Sequence, residues 1–441
     1  DLVAMAEPVT KWSAMVQHPS SLLRMVRRAI KVASTPPCGP VYLCLPEDIL
    51  DSEITEEIFP AHIPSFSTIP SNDDLDRLAS WIEDSEKPIL LLGDGVAWTG
   101  GNKSVERLAE QIGAKVYSAD GGEINFPDNH PLNYGSTGHM FGDASLPIMQ
   151  SCDLCIALGC YLLPEVYPHL GDIFNKNTKI IHIDTDVNQI AKNHRVDLSF
   201  VAKPGTVISA LNKKIEKLPE DWKANAKKRR ETYEESSPVL NNNIDKTYEV
   251  KPLHKSDQYD GKGCAMKSGF FIKTLSELLP EKHLIFDEAL TNSPPINKYI
   301  PGKIPGERML TRGGSLGTGF PGAVGAKLAF PEKEVIGFSG DGGSMYTIQV
   351  LWTAARHNIA AKFIVCQNRS YHLLQLNIGK FWEERGIKNR DLPIAFDLSK
   401  PQIDFSEIAR SFSVSAETVV KPDEVEPAIK RMLASKEPYL I

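Results

Sequence analysis

At 441 residues the chain is long for one hydrophobic core, so two or three domains are expected. Hydrophobic residues make up 41% and charged residues 24%, and the net charge of -7 offers no basic surface for nucleic acid. No apolar run reaches the length of a membrane span, and no signal-peptide pattern opens the chain, so no membrane partner is expected. Seven cysteines, sparse and odd in number, argue against a disulfide scaffold and for a reducing compartment, the cytoplasm.

The first 60 residues read as an amphipathic helix (Leu22, Leu23, Val26, Ile30), a Pro-Pro-Cys-Gly-Pro turn and a strand from residue 41 to 45. One helix and one strand cannot bury a core, so residues 1–60 read as the end of a third α/β domain. Residues 70–215 then alternate strand and helix: strand 88–92, helix 102–112, strands 152–158 and 179–183. That order predicts βα units on a parallel sheet, a Rossmann-like central domain. Cys152, Cys155 and Cys160 lie in and beside the second of these strands. They read as small buried hydrophobes, since no second ligand pair stands at metal-binding spacing. Residues 216–267 are charged and lack apolar periodicity, which predicts an exposed helix plus linker. Their KKRR run (227–230) reads as a solvated face balanced by Glu231, Glu234 and Glu235.

From 268 to 441 a second α/β domain follows. Its most informative stretch is SGDGGSMY (339–346), which directly follows an apolar strand. A helical stripe of Met345, Ile348, Leu351, Trp352 and Ala355 comes next, then the strand AKFIVC, then Gln367 and Asn368. Asp341 and Asn368 therefore close successive parallel strands on one sheet edge, where ligands bind in open α/β sheets. Both offer hard oxygen donors, as a magnesium-type cation requires. Gly340, Gly342 and Gly343 let backbone N–H groups approach a phosphate. A second GDG, at Gly93, Asp94 and Gly95, has the same strand before it. The strand after it runs into Ser118, Ala119 and Asp120 without an asparagine, so it reads as a structural turn.

The segment 340–371, GDG followed by some two dozen residues and then Gln367-Asn368, resembles the signature of thiamine-diphosphate-dependent enzymes. That family has two asparagines where this chain has Gln367 and Asn368. The resemblance implies that Asp341, Asn368 and the backbone carbonyl of Ser370 hold Mg2+, with Ca2+ or Mn2+ as substitutes. RGGSLGTGFPGAVGAKLAFP (312–331) resembles the segment that presents the pyrimidine to the thiazolium. There Gly314 would accept from the 4′-amino group and Leu316 would wedge the cofactor into its bent form. These two count as the catalytic positions of this chain. In DEALTNS (287–293) the resemblance places Thr291 and Asn292 near the diphosphate. Tyr371 would border the cofactor, and His372, Leu373 and Leu374 the substrate.

Benzoylformate decarboxylase-type enzymes resemble the chain most, acetolactate synthase-type enzymes nearly as much. The implied activity is thiamine-diphosphate- and magnesium-dependent decarboxylation of a 2-oxo acid, giving an aldehyde or a carboligated 2-hydroxyketone. The alternatives are an acetolactate synthase-type carboligase, for which FAD in the central domain would be expected, and a non-catalytic homologue or fragment. Val166 stands where such decarboxylases often carry a histidine, with Glu165 and His169 nearby, which leaves carboligation open. The glutamate that this family sets against the pyrimidine ring is expected upstream of Asp1. A homodimer or homotetramer with the active site at the subunit interface is expected too.

Overall fold

Two runs of alternating strand and helix build two separate six-stranded parallel sheets, seen in a computed structural model. It describes all residues except 120, 139, 164, 242–250, 253–263, 312, 313 and 389. Much of the predicted linker, Asp120 after the second GDG, and Gly313 lie outside the described residues.

The N-terminal stretch forms a two-stranded parallel piece from β1 (Trp12–Met15) and β2 (Val41–Cys44), with the helix Leu22–Ser34 beside it. The central sheet uses β3 (Pro88–Leu92), β4 (Lys115–Ser118), β5 (Asn133–Ser136), β6 (Leu154–Leu158), β7 (Lys179–Asp184) and β8 (Leu198–Val201). Its spatial order is β5-β4-β3-β6-β7-β8, so the winding reverses between β3 and β6 as in a doubly wound fold. Every residue of β3 and β6 is buried, which explains their unbroken apolar runs: helices cover both faces. Cys152, Cys155 and Cys160 are free, buried thiols here, pushed well up by burial.

The charged helix Glu220–Glu235 is less exposed than its composition predicts. Arg229 donates to the carbonyls of Ile112 (Nη2, 2.5 Å) and Ser85 (Nη1, 3.0 Å). It thereby satisfies the end of the helix Asn102–Ile112, whose last carbonyls have no intrahelical partner. Gly113 follows with φ +58, and a Cβ there would lie 2.6 Å from the Ala226 carbonyl oxygen. One arginine of the KKRR run is thus a packing group, and the long aliphatic stem of arginine suits that use. Beyond this helix, β9 (Lys251–Pro252) pairs with β10 (Cys264–Ala265).

The C-terminal sheet comprises β11 (His283–Glu288), β12 (Arg308–Leu310), β13 (Glu334–Gly340), β14 (Lys362–Cys366), β15 (Ser415–Ala416) and β16 (Tyr439–Leu440). Its order is β12-β11-β13-β14-β16-β15, with the reversal between β11 and β13. The predicted stripe from Met345 to Ala355 is broken. A single turn (Asp341–Ser344) and a separate helix (Val350–Arg356) bury Ile348 and Leu351 but leave Met345 and Trp352 about half exposed.

The two sheets meet at β12. Arg308 forks onto Asp128 of the central domain (Nη1–Oδ2 2.5 Å, Nη2–Oδ1 3.2 Å), and Gly302 N donates to the same carboxylate at 2.8 Å. Leu310 N donates to the Gly122 carbonyl at 2.9 Å. At the start of β14, Lys362 is 1% exposed and donates to the carbonyls of Ser435 (2.9 Å) and Glu437 (2.8 Å). Burial pushes its ammonium down to about 8, with Glu334 opposing. The folded state therefore releases this proton at a pH where the unfolded chain still holds it. Its contribution to stability rises with pH from about 8 until the unfolded lysine titrates near 10.4. The difference in urea midpoint between wild type and Lys362→Met is expected to shift in favour of wild type across that window; a constant difference would refute the assignment.

Candidate functional site

β11, β13 and β14 are neighbours, and the loops at their C-terminal ends converge where the winding of the C-terminal sheet reverses. In such sheets the crevice at the reversal is the place for a ligand. Asp341 opens the turn Asp341–Ser344 after β13 and is 3% exposed. Its Oδ2 accepts from Arg369 N at 2.5 Å and its Oδ1 from Gly342 N at 2.9 Å. Burial raises the acid above its ordinary range, and the N–H groups of Gly342, Arg369 and Asn368 oppose that. Asn368 Oδ1 accepts from Ser370 N at 2.9 Å, and Arg369 between them has φ +57. The loop after β14 is thus a side-chain-closed turn that carries Asn368 and Ser370 to Asp341.

Tyr371 packs against Gly342 of this group. A Cβ on Gly342 would sit 2.3 Å from its Cε1, so only glycine fits under the ring. A Cβ on Gly340 would meet nothing within 4 Å, which leaves one face of the turn open. Gln367 turns the other way and donates to the Ile403 carbonyl at 2.8 Å. That bond commits its amide to packing, although Gln367 still borders the cavity beside Asn368. Thr291 and Asn292 sit in the short turn Leu290–Asn292 after β11. Asn292, Asn368 and Arg369 share a cavity of about 280 Å3 that extends toward Ser268 and Glu417.

Gly314 has φ +70 and open space around it, as an approach by a ligand would require. Leu316 is half-buried. Sequence reasoning missed what holds them: Glu288, the last residue of β11, accepts from Gly317 N at 2.8 Å and Gly319 N at 2.5 Å. Only the acidic pair of DEALTNS hinted at it. The other acid, Asp287, is 1% exposed. Its Oδ1 accepts from Ala289 N (2.8 Å) and Ser293 Oγ (2.9 Å), and its Oδ2 has no hydrogen-bond partner among the described residues. His372 and Leu374 are exposed at the start of the helix His372–Glu384, and Leu373 is half-buried. Among the described residues the His372 ring meets Gln375, at 3.4 Å, and no hydrogen bond draws these three into the Asp341 group.

The other GDG differs in every contact. Asp94, 2% exposed, accepts from Gly122 N (2.8 Å), Glu123 N (3.0 Å) and Asn125 Nδ2 (3.1 Å). Its carboxylate is committed to the loop that docks on β12, as a structural turn requires.

The donors fit a hard cation. Asp341 carboxylate, Asn368 amide oxygen and a Ser370 carbonyl are oxygen ligands, and each accepting oxygen used by an N–H keeps a second lone pair. Among the described residues no three His, Cys, Asp or Glu side chains gather as a metal cluster. A cation here would therefore take its remaining ligands from water and from an anionic molecule.

A doubly wound central domain beside a second parallel sheet, with an acid and an amide at the ends of adjacent strands, defines an α/β protein with a ligand-binding sheet edge. Comparison with known proteins narrows the class. Residues 75–211 match the family model described as thiamine pyrophosphate enzyme, central domain, and residues 298–441 match its C-terminal TPP binding domain. The chain is 30% identical to a probable acetolactate synthase large subunit from Methanocaldococcus jannaschii, over 100% of this chain and 72% of that protein. It is 26% identical to benzoylformate decarboxylase from Pseudomonas aeruginosa, over 100% of this chain and 77% of that protein. Among solved structures, benzoylformate decarboxylase from Polynucleobacter necessarius superposes with a TM-score of 0.81 at 22% identity, covering 100% of this chain and 76% of that one. The chain belongs to the thiamine pyrophosphate enzyme family.

Proposed function

We propose that the protein decarboxylates a 2-oxo acid with thiamine diphosphate and magnesium, releasing an aldehyde or passing the fragment to a second carbonyl as a 2-hydroxyketone. The observation that carries this reading is the contact of Asp341 with the turn that bears Asn368 and Ser370. Asp341, Asn368 and the Ser370 carbonyl would hold the cation, and Gly340, Gly342 and Gly343 would present backbone N–H groups to the diphosphate. Thr291 and Asn292 would approach it from β11. Gly314 would accept a hydrogen bond from the pyrimidine amine, Leu316 would press against the cofactor's middle, and the Tyr371 ring would shield the turn from water. When bound, thiamine diphosphate supplies the electron sink for loss of carbon dioxide. His372, Leu373 and Leu374 would face the substrate after the helix His372–Glu384 shifts, since they are not gathered at the site in this conformation.

The similarity to a named acetolactate synthase supports a second reading, condensation of two 2-oxo acids, with a flavin in the central domain. Met345, Tyr346, Trp352, Leu374 and Leu376 are 45–60% exposed next to the candidate site. Such apolar exposure supports a homodimer or homotetramer that closes the site between subunits. Free cysteines throughout the described residues suit the cytoplasm. No described helix is long and apolar enough to cross a membrane.

Product analysis with aliphatic and aromatic 2-oxo acids tests the proposal. Carbon dioxide with a free aldehyde supports the decarboxylase, and a 2-hydroxyketone from two acids supports the synthase. Turnover of neither, by the full-length protein saturated with cofactor and magnesium, counts against both.

A further inference from the structure

We propose that Glu288 is a positioning residue, holding the segment 314–319 so that Gly314 and Leu316 keep their place above the Asp341 group. The inference rests on the reading of this sheet edge as a thiamine diphosphate site. Glu288 is 1% exposed, and its two oxygens are used separately. Oε1 accepts from Gly317 N at 2.8 Å, while Oε2 accepts from Gly319 N at 2.5 Å and from Thr318 Oγ1 at 3.3 Å. Oε1 also meets Ser339 Oγ of β13 at 3.4 Å. One carboxylate at the end of β11 thus joins the segment after β12 to the strand that carries Asp341.

The other side of the segment is held as well. Thr347 Oγ1 donates to the Gly317 carbonyl at 2.7 Å. Gly317 has φ +87, and a Cβ there would lie 2.7 Å from the Tyr346 Cβ. The backbone just after Leu316 is therefore gripped at its N–H by Glu288 and at its carbonyl by Thr347. Gly319 N opens the helix Gly319–Ala329, where a carboxylate is favoured by the unpaired N–H groups and the helix dipole. None of the bonds that join Asp341, Arg369, Asn368 and Ser370 involves Glu288. Cation and diphosphate would be held by one set of groups, and the ring-bearing part of the ligand would be positioned by another.

Gln is the informative replacement. Its amide keeps the size of Glu but has one accepting oxygen, and its NH2 must face a backbone N–H. The segment 314–319 is then released at Gly317 or at Gly319. Gly343 packs against Oε1, but the bonds from Gly342 and Arg369 to Asp341 do not use the altered group, and the amide keeps the size of the carboxylate. The experiment is calorimetric titration of wild type and Glu288→Gln, in magnesium, with thiamine diphosphate and separately with inorganic diphosphate. Glu288→Gln is expected to lose roughly tenfold or more in affinity for thiamine diphosphate, the equivalent of one hydrogen bond, and to change by no more than about twofold for inorganic diphosphate. Glu288→Asp keeps the charge on a shorter arm and is expected to show the same split, smaller in size; it carries the comparison if the Gln variant does not fold. Equal losses for both ligands mark Glu288 as merely structural, and unchanged affinities remove its role. A wild-type protein that binds neither ligand overturns the parent reading, and that titration decides it before any variant is made.

Discussion

Asp341→Ala is expected to abolish magnesium-dependent binding of thiamine diphosphate, a loss of at least about a hundredfold, while the protein stays folded. The carboxylate is the only charged oxygen in the proposed ligand set, and a hard dication depends on such a ligand. Its removal leaves two N–H groups, of Gly342 and Arg369, without their acceptor, a cost of about 2 kcal/mol. Part of that is offset because burial already disfavours the charged acid, as its raised titration shows. Asp94→Ala is the matched control from the other GDG. It strips the acceptor from Gly122, Glu123 and Asn125 and is expected to cost roughly 3 kcal/mol of stability, with binding largely intact in the folded protein. Thermal melts and calorimetry on the pair separate the two roles. Should Asp94→Ala weaken binding as much as Asp341→Ala, the distinction between the two turns collapses.

Arg308→Ala is expected to cost about 3–5 kcal/mol, the largest stability effect of the single changes considered. It leaves the Asp128 carboxylate, with only 17% of its side chain exposed, without its guanidinium. Gly302 N still donates to that carboxylate, but one N–H does not replace a bidentate cation. Because the pair joins β12 to the loop after β4, the loss falls on the junction between the two sheets. Scanning calorimetry is expected to show one transition for the wild type and two for the variant, and the double change of Arg308 and Asp128 to Ala should recover part of the loss. An Arg308→Ala protein that melts in one transition at the wild-type temperature would show that the pair does not couple the domains.

These contrasts mark what a linear reading of the chain can reach. Asp341 and Asn368 were legible because a βαβ unit has one hand and one direction, so two strand ends separated by a single helix must share an edge. Strands 88–92 and helix 102–112 were legible for a similar reason: their apolar periods are strong and their ends carry Gly or Asp. Glu288 was not legible, since its role exists only where the ends of β11 and β13 meet the segment after β12. The same holds for Arg229. Its neighbours in sequence are charged and solvated, yet its guanidinium reaches carbonyls more than a hundred residues away. The stripe from Met345 to Ala355 misled because apolar spacing does not reveal a break. In the structure the chain leaves the turn at Ser344, and Met345 and Trp352 face outward. Resemblance to a family named the cofactor. It could not show that His372 rests in solvent beside Gln375.

The central claim is that the edge formed by β11, β13 and β14 binds thiamine diphosphate through a cation. Titration of the unaltered protein with thiamine diphosphate, with magnesium present and then removed by chelation, tests it most directly. Saturable binding that disappears with the metal and returns on its readdition is the expected result; equal binding with and without the metal, or none in either condition, would contradict the account.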